Sequence, residues 1–252
     1  MSEICSLSFS DAWLRAVTQA MNSLEHEISP LVVVIELTRG AVLEEDFSVR
    51  NALDEALLLS GNATVETVSN TIFPNSLWNP GRPRAELFDR YQSILPKVRR
   101  YPPNRRGVYF ERFMSYPGKR GQRGRNQLDD IISSFRKGNH RRSALQLGVF
   151  VPEVDINDSR QLGFPCLQQV AFEPDASRGS LAVTGFYAMQ YLFRRAYGNY
   201  VGLARLGQFV AHELGLALER VVCVSAVARL DVSLRIAQSV LDRYPSVSKA
   251  KV

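Results

Sequence analysis

A change of hydrophobic period in the second half of the chain constrains the fold most. Leu145, Leu147, Val149 and Val151 alternate up to Pro152, and LQQVAFEP and SLAVTGFYAMQY read as two further strands joined by the turn-prone DASRG. The period then lengthens. In YVGLARLGQFVAHELGL, Leu203, Leu206, Val210 and Leu214 recur at helical spacing, and Gly202 and Gly207 predict close approach of this helix to the sheet. VVCVSAV supplies another apolar strand and VSLRIAQSVLDRY a last helix, ahead of a polar tail over 245–252. Strands clustered around one long helix do not give the regular alternation of a doubly wound fold, so the expected class is α+β.

The first half is helix, strand, helix and then irregular chain. FSDAWLRAVTQAMNSL places Trp13, Val17 and Met21 on one helical face, with Ser10 or Asp11 available as cap. LVVVIEL at 31–37 reads as a strand, and SVRNALDEALLLS as a helix ending near Gly61-Asn62. Between Pro74 and Pro103, Pro and Gly interrupt regular hydrogen bonding, leaving AELFDRYQSIL as a short helix. NQLDDIISSFRKGN has an Asn cap, early acids and late bases that complement a helix dipole. With no internal repeat and no linker, residues 1–244 are expected to form a single domain.

Composition narrows the function classes. The chain has 252 residues, 45% of them apolar, so it can bury a sizeable core. No apolar run reaches the length of a membrane span, and MSEICSLSFSD is not a leader, so a cytoplasmic protein without membrane contact is expected. Cys5, Cys166 and Cys223 are too few and scattered for a disulfide framework or a structural metal, and His26, His140 and His212 show no ligand spacing. The net charge of +6 is unevenly spread: residues 1–60 carry ten acids and three bases, whereas 97–142 carry fourteen Lys or Arg and three acids. The second stretch favours anionic ligands, including nucleic acid; Lys119 to Arg125 reads equally as a solvated loop. GKRGQRG lacks the residue order of a phosphate-binding loop.

GFPCLQQVAF and LAVTGFYAMQYLFRRAYGNYVGLARLGQFVAHELGL together resemble thymidylate synthases and their hydroxymethylase relatives. In that family the first segment carries a Pro-Cys nucleophile, and the second an Asn and a long helix. The resemblance implies a thymidylate-synthase-like mixed sheet packed against a long central helix. It also implies a homodimer, a pyrimidine nucleotide as substrate and 5,10-methylenetetrahydrofolate as co-substrate. By the same resemblance Cys166 is the nucleophile, Glu55 in DEALLLSGNAT the catalytic glutamate and Tyr109 in GVYFERF the active-site tyrosine. Asn199 would hold the pyrimidine edge. Arg141 and Arg142 in GNHRRSALQLGVF would bind the partner subunit's nucleotide phosphate. The chain departs from the family where Leu167 replaces a His and Met189-Gln190 replace an Arg-Ser pair. SAVARLDVSLR also lacks the sugar-binding His and Tyr.

The chemistry suits these residue types. A thiolate can add to C6 of a pyrimidine and make C5 nucleophilic, while an arginine fork binds phosphate in a way lysine does not. A carboxylate and a phenol can move protons, and an amide both donates and accepts at a pyrimidine edge. The expected function is therefore an atypical pyrimidine nucleotide C5 methyltransferase or hydroxymethyltransferase. The alternatives are a noncatalytic nucleotide-binding or structural homologue and a nucleic-acid-binding protein. Each residue also has a plain structural role open to it. Cys166 would be a small buried hydrophobe, Glu55 a solvent-face acid, Asn199 a helix cap and Tyr109 a strand-edge packing residue, with Arg141 and Arg142 as surface cations. Cys223 reads as core.

Overall fold

The computed structural model describes residues 2–38, 45–117, 124–138, 141–156 and 164–244. Most of Lys119 to Arg125, and all of the tail over 245–252, lie outside them. In chain order the strands are β1 (Ser2–Ser6), β2 (Glu27–Ile28), β3 (Leu31–Glu36), β4 (Gln146–Gly148), β5 (Leu167–Asp175), β6 (Ser180–Tyr191) and β7 (Ala217–Arg229). The helices are α1 (Phe9–Met21), α2 (Phe47–Leu59), α3 (Val65–Ile72), α4 (Arg84–Arg100), α5 (Tyr109–Met114), α6 (Gln127–Arg136), α7 (Pro152–Asp155), α8 (Tyr197–Leu214) and α9 (Leu234–Leu241). The fold is α+β around a mixed sheet of order β1-β3-β7-β6-β5-β4, with β2 also paired to β7.

Side-chain alternation divides the sheet into two unlike faces. One row, Ile4, Val33, Cys223, Gly185, Val170 and Leu147, runs in register across six strands and is buried apart from the glycine's missing side chain. α1 and α8 pack on this side, where Trp13 is fully buried and its indole N–H donates to the Leu192 carbonyl at 2.8 Å. The opposite face carries Val32, Val34, Val222 and Val224, all half-buried, and Phe186, which is 41% exposed. β6 and β7 are parallel, with α8 as the crossover.

α8 touches two layers through different glycines. A Cβ on Gly207 would meet Leu218 Cδ1 at 2.7 Å and Val183 Cγ1 at 3.0 Å, so this glycine lets the helix approach the sheet as expected. Gly202 instead faces α3, where a Cβ would stand 2.9 Å from Ile72 Cβ and from the Ser69 carbonyl oxygen. The helix ends at Gly215 in the left-handed conformation, φ +70°.

Several local expectations are corrected. The cap of α1 is Ser8, while Ser10 lies inside the helix with its hydroxyl 2.8 Å from that of Tyr197. The short helix expected at AELFDRYQSIL is part of the 17-residue α4, which continues through Pro96. The strand expected through Val151 shortens to Gln146–Gly148, although Leu145, Leu147, Val149 and Val151 are all buried. Asn126 caps α6 as expected, accepting from the Asp129 amide at 3.1 Å. Among the described residues no helix is long and apolar enough to cross a membrane.

Candidate active site

Cys166 stands at the entry of β5, where the chain is pinned to its neighbours. Its carbonyl accepts from the Ala188 amide of β6 at 3.0 Å and from Gln168 Nε2 at 3.2 Å. A register shift between Leu167 and Gln169 distorts this end of the strand. Bulges of this kind re-aim side chains at the ends of strands. The Cys166 side chain lines a cavity of about 590 Å³, within the usual size range of small-molecule sites.

Tyr109 reaches the same cavity as the first residue of α5, in a helix rather than at a strand edge. Its ring packs on Phe164 with centroids 5.2 Å apart, and the Arg112 guanidinium lies 5.4 Å from the centroid of the same Phe164 ring. Arg112 is buried and donates to Asp155 at 2.9 Å, and the second Asp155 oxygen accepts from the Val151 amide at 2.7 Å. A buried ion pair thus braces this aromatic wall. Burial pushes the Tyr109 phenol well above its ordinary value, and the nearby Cys166 sulfur adds to that; the Leu167 and Cys166 backbone amides and Arg195 oppose it. The phenol is therefore a neutral O–H at physiological pH.

Asn199 lies in the first turn of α8 and is only 5% exposed. The helix begins at Tyr197 after a π-helical turn, Leu192–Ala196, so Asn199 is inside it and is not a cap. Its amide lines the cavity and has no hydrogen bond to another described residue. Buried amides are seldom left unpaired, so this one is available to a ligand or to water.

Met189 and Gln190, at the positions of the expected Arg-Ser pair, do line the cavity. Gln190 is buried, its Nε2 donating to Cys223 Sγ at 3.4 Å and its Oε1 accepting from Ser225 at 3.1 Å. Cys223 is a core residue; burial pushes its thiol up to about 12, against the lowering effect of Gln190 and Ser225. Cations enter one turn later. Arg194 and Arg195, on the π-helical turn, line the cavity. Arg194 donates to Asp231 at 2.5 Å and lies over the Tyr191 ring, whereas Arg195 forms no ion pair with a described carboxylate. Burial pushes the Cys166 thiol up, and Arg195 is the group that pulls it back toward the thiolate.

Sequence reasoning did not select Arg194 and Arg195. A signal for them exists, because no Asp or Glu occurs between Asp175 and Glu213 while both arginines lie within four residues of the end of a strand. Short π-helical turns such as this one are frequent at functional sites.

The other three candidates lie elsewhere. Val49, Ala52, Leu53 and Leu57 form the buried stripe of α2, which turns Glu55 to the solvent side. There its carboxylate accepts from Arg243 at 2.9 Å. Arg141 and Arg142 are exposed just before β4. Arg142 borders a second cavity, of about 480 Å³, together with Ala171, Ala182 and Arg220 on the half-exposed face of the sheet. No carboxylate is among the described residues lining the Cys166 cavity. No cluster of three or more metal-ligating side chains occurs among the described residues. No protein-family model matches the chain, and no curated protein matches it in sequence.

Proposed function

We propose that this chain binds a pyrimidine nucleotide in the Cys166 cavity and acts there as an atypical C5 methyltransferase or hydroxymethyltransferase of the thymidylate-synthase type. One observation carries the proposal: Cys166, Tyr109 and Asn199, from three separate segments, line one cavity with Arg195, which forms no ion pair with a described carboxylate. Sulfur addition to C6 forms the Sγ–C6 bond and moves the ring electron pair toward C5 and O4, making C5 the nucleophile. Asn199 pairs with N3–H and O4 and Tyr109 supplies a neutral O–H donor. Arg195 favours the thiolate. The remaining wall is apolar at Val68, Pro103, Val108 and Phe164, suited to stacking a heterocycle. A reduced folate is the co-substrate implied by the resemblance and would supply the one-carbon unit.

A noncatalytic nucleotide binder is the alternative, and the absence of a carboxylate among the described residues lining the cavity favours it. Proton removal at C5 then falls to water, because the Tyr109 phenol is a neutral donor. The homodimer belongs to the same proposal. Support comes from the half-exposed apolar sheet face, which continues to the cavity that Arg142 borders.

The test is covalent trapping. Incubation with a 5-fluorinated pyrimidine nucleotide, with and without methylenetetrahydrofolate, should yield an adduct that mass spectrometry maps to Cys166. C166A should bind the nucleotide without forming the adduct. Nucleotide binding with no adduct at Cys166 selects the noncatalytic alternative, and absence of pyrimidine nucleotide binding rejects both.

A further inference from the structure

We infer that the cavity takes a nucleotide carrying two or more linked phosphates, whose outer phosphates are held by Arg105 and Arg106 at its rim. The inference rests on the pyrimidine-nucleotide proposal and specifies its substrate class. Asn104 and Gly107 are wall residues of the cavity, and Arg105 and Arg106 are the two residues between them. Both arginines are exposed, and neither forms an ion pair with a described carboxylate.

The segment that carries them is fixed in place. Arg99 Nη1 donates to the Arg105 carbonyl at 2.7 Å, and its Nη2 donates to Glu111 at 2.7 Å. Asn104 Nδ2 donates to the Val98 carbonyl at 3.2 Å, and the Gly107 amide to the Asn104 carbonyl at 3.1 Å. Arg99 and Glu111 neutralise each other in this role, which leaves Arg105 and Arg106 as the cations of the 104–107 segment. A guanidinium pair on a pinned backbone loses little backbone entropy on engaging an anion.

On the cavity wall Arg195 is exposed and forms no ion pair with a described carboxylate, and no described lining residue is a carboxylate that would repel a phosphate. A monophosphate engaging Arg195 leaves the rim arginines without a partner. A di- or triphosphate chain gives them one, through charge-assisted hydrogen bonds to its outer oxygens. The phosphodiester backbone at an oligonucleotide end offers the same linked-phosphate chemistry, and the experiment separates the two sources.

Titration calorimetry of the full chain with uridine and deoxyuridine mono-, di- and triphosphates, and with a short pyrimidine oligonucleotide, tests the inference. The di- and triphosphates should bind about ten-fold or more tighter than the monophosphate, with a steeper loss of affinity as salt rises. R105Q/R106Q should reduce that ratio to about one and leave monophosphate affinity within about two-fold, because both side chains are exposed and outside the inner site. Tighter binding of the oligonucleotide, lost in R105Q/R106Q, assigns the linked phosphates to nucleic acid. Equal affinity for mono-, di- and triphosphates, or a preference that survives R105Q/R106Q, overturns the inference while the monophosphate and the Cys166 adduct still support the nucleotide site. No binding of any nucleotide overturns both.

Discussion

The Phe164 ring occupies the space where a side chain on Gly107 would begin: a Cβ there would lie 2.4 Å from Phe164 Cε1. Gly107 has φ +152°, a conformation L side chains rarely adopt. Two wall residues are thus coupled, and through Phe164 they are coupled to Tyr109. G107A should destabilise the fold by about 2 to 4 kcal/mol through backbone strain plus overpacking, and should weaken nucleotide binding. In a thermal or urea double-mutant cycle, F164A should relieve part of the G107A cost, because the clash is then gone while the strain remains. Strict additivity would show that the ring does not stand where the geometry puts it.

The Cys166 thiol is raised by burial and partly restored by Arg195, so its reactivity should follow pH in a defined direction. In a C5S background, which silences the exposed thiol, iodoacetamide labelling of Cys166 should be slow at neutral pH. It should rise to a midpoint above that of an unstructured cysteine peptide. R195Q should move the midpoint further up and slow labelling at neutral pH by about two- to ten-fold. A midpoint below the peptide's, or no response to R195Q, would remove Arg195 from the account.

The parts of the fold set by periodicity were legible in the sequence. Leu203, Leu206, Val210 and Leu214 announce α8, and Leu145 to Val151 mark a buried stretch even though its pairing covers only Gln146–Gly148. Elements that depend on distant partners were not. α3 is stabilised by the approach of Gly198 and Gly202 of α8, and β1 by parallel pairing to β3, neither of which leaves a local signal. Pro96 reads as a helix stop, yet α4 passes through it. Cys166 and Asn199 were visible because a motif carries each of them. Arg195 was not, since counting along the strand stopped at Met189-Gln190, and the π-helical turn that carries this arginine to the cavity leaves no local pattern. Glu55 looked plausible only until the rest of α2 fixed which way its helix faces.

Glu66 joins α3 to α8 and α2 through two arginines. Arg205 donates to its two oxygens at 2.9 Å each and Arg50 donates at 2.8 Å. The Arg205 hydrogen bond, then Arg50, hold its carboxyl at about 2, below the ordinary 4.5, with desolvation opposing them. A depressed folded-state value means that the contribution is complete above pH 4.5 and is lost as pH falls toward 2. Because the side chain is 46% exposed, solvent screening limits this to about 1 kcal/mol. E66Q should lower the melting temperature at pH 7 and flatten its fall between pH 4.5 and pH 2. Identical acid slopes for E66Q and wild type would show that Glu66 is not held as the geometry indicates.

Val224 and Phe186 are cross-strand neighbours on the half-exposed face of the sheet, and Arg142 borders the cavity at its edge. If a second copy covers this face, wild-type protein should sediment as a dimer, and V224D should shift it to monomer by burying an unpaired charge, a penalty of several kcal/mol. In an isolated chain the same half-exposed position would tolerate Asp at about 1 kcal/mol or less, so V224D should remain folded. Sharing of sites adds a second readout. R142A and C166A chains should each form little adduct alone, but mixing them should restore it, because one site in a mixed dimer keeps both Cys166 and the opposite chain's arginine. A monomeric wild type, or a dimer in which mixing restores nothing, would leave Arg142 as a surface cation and return phosphate binding to Arg195 and the rim of its own cavity.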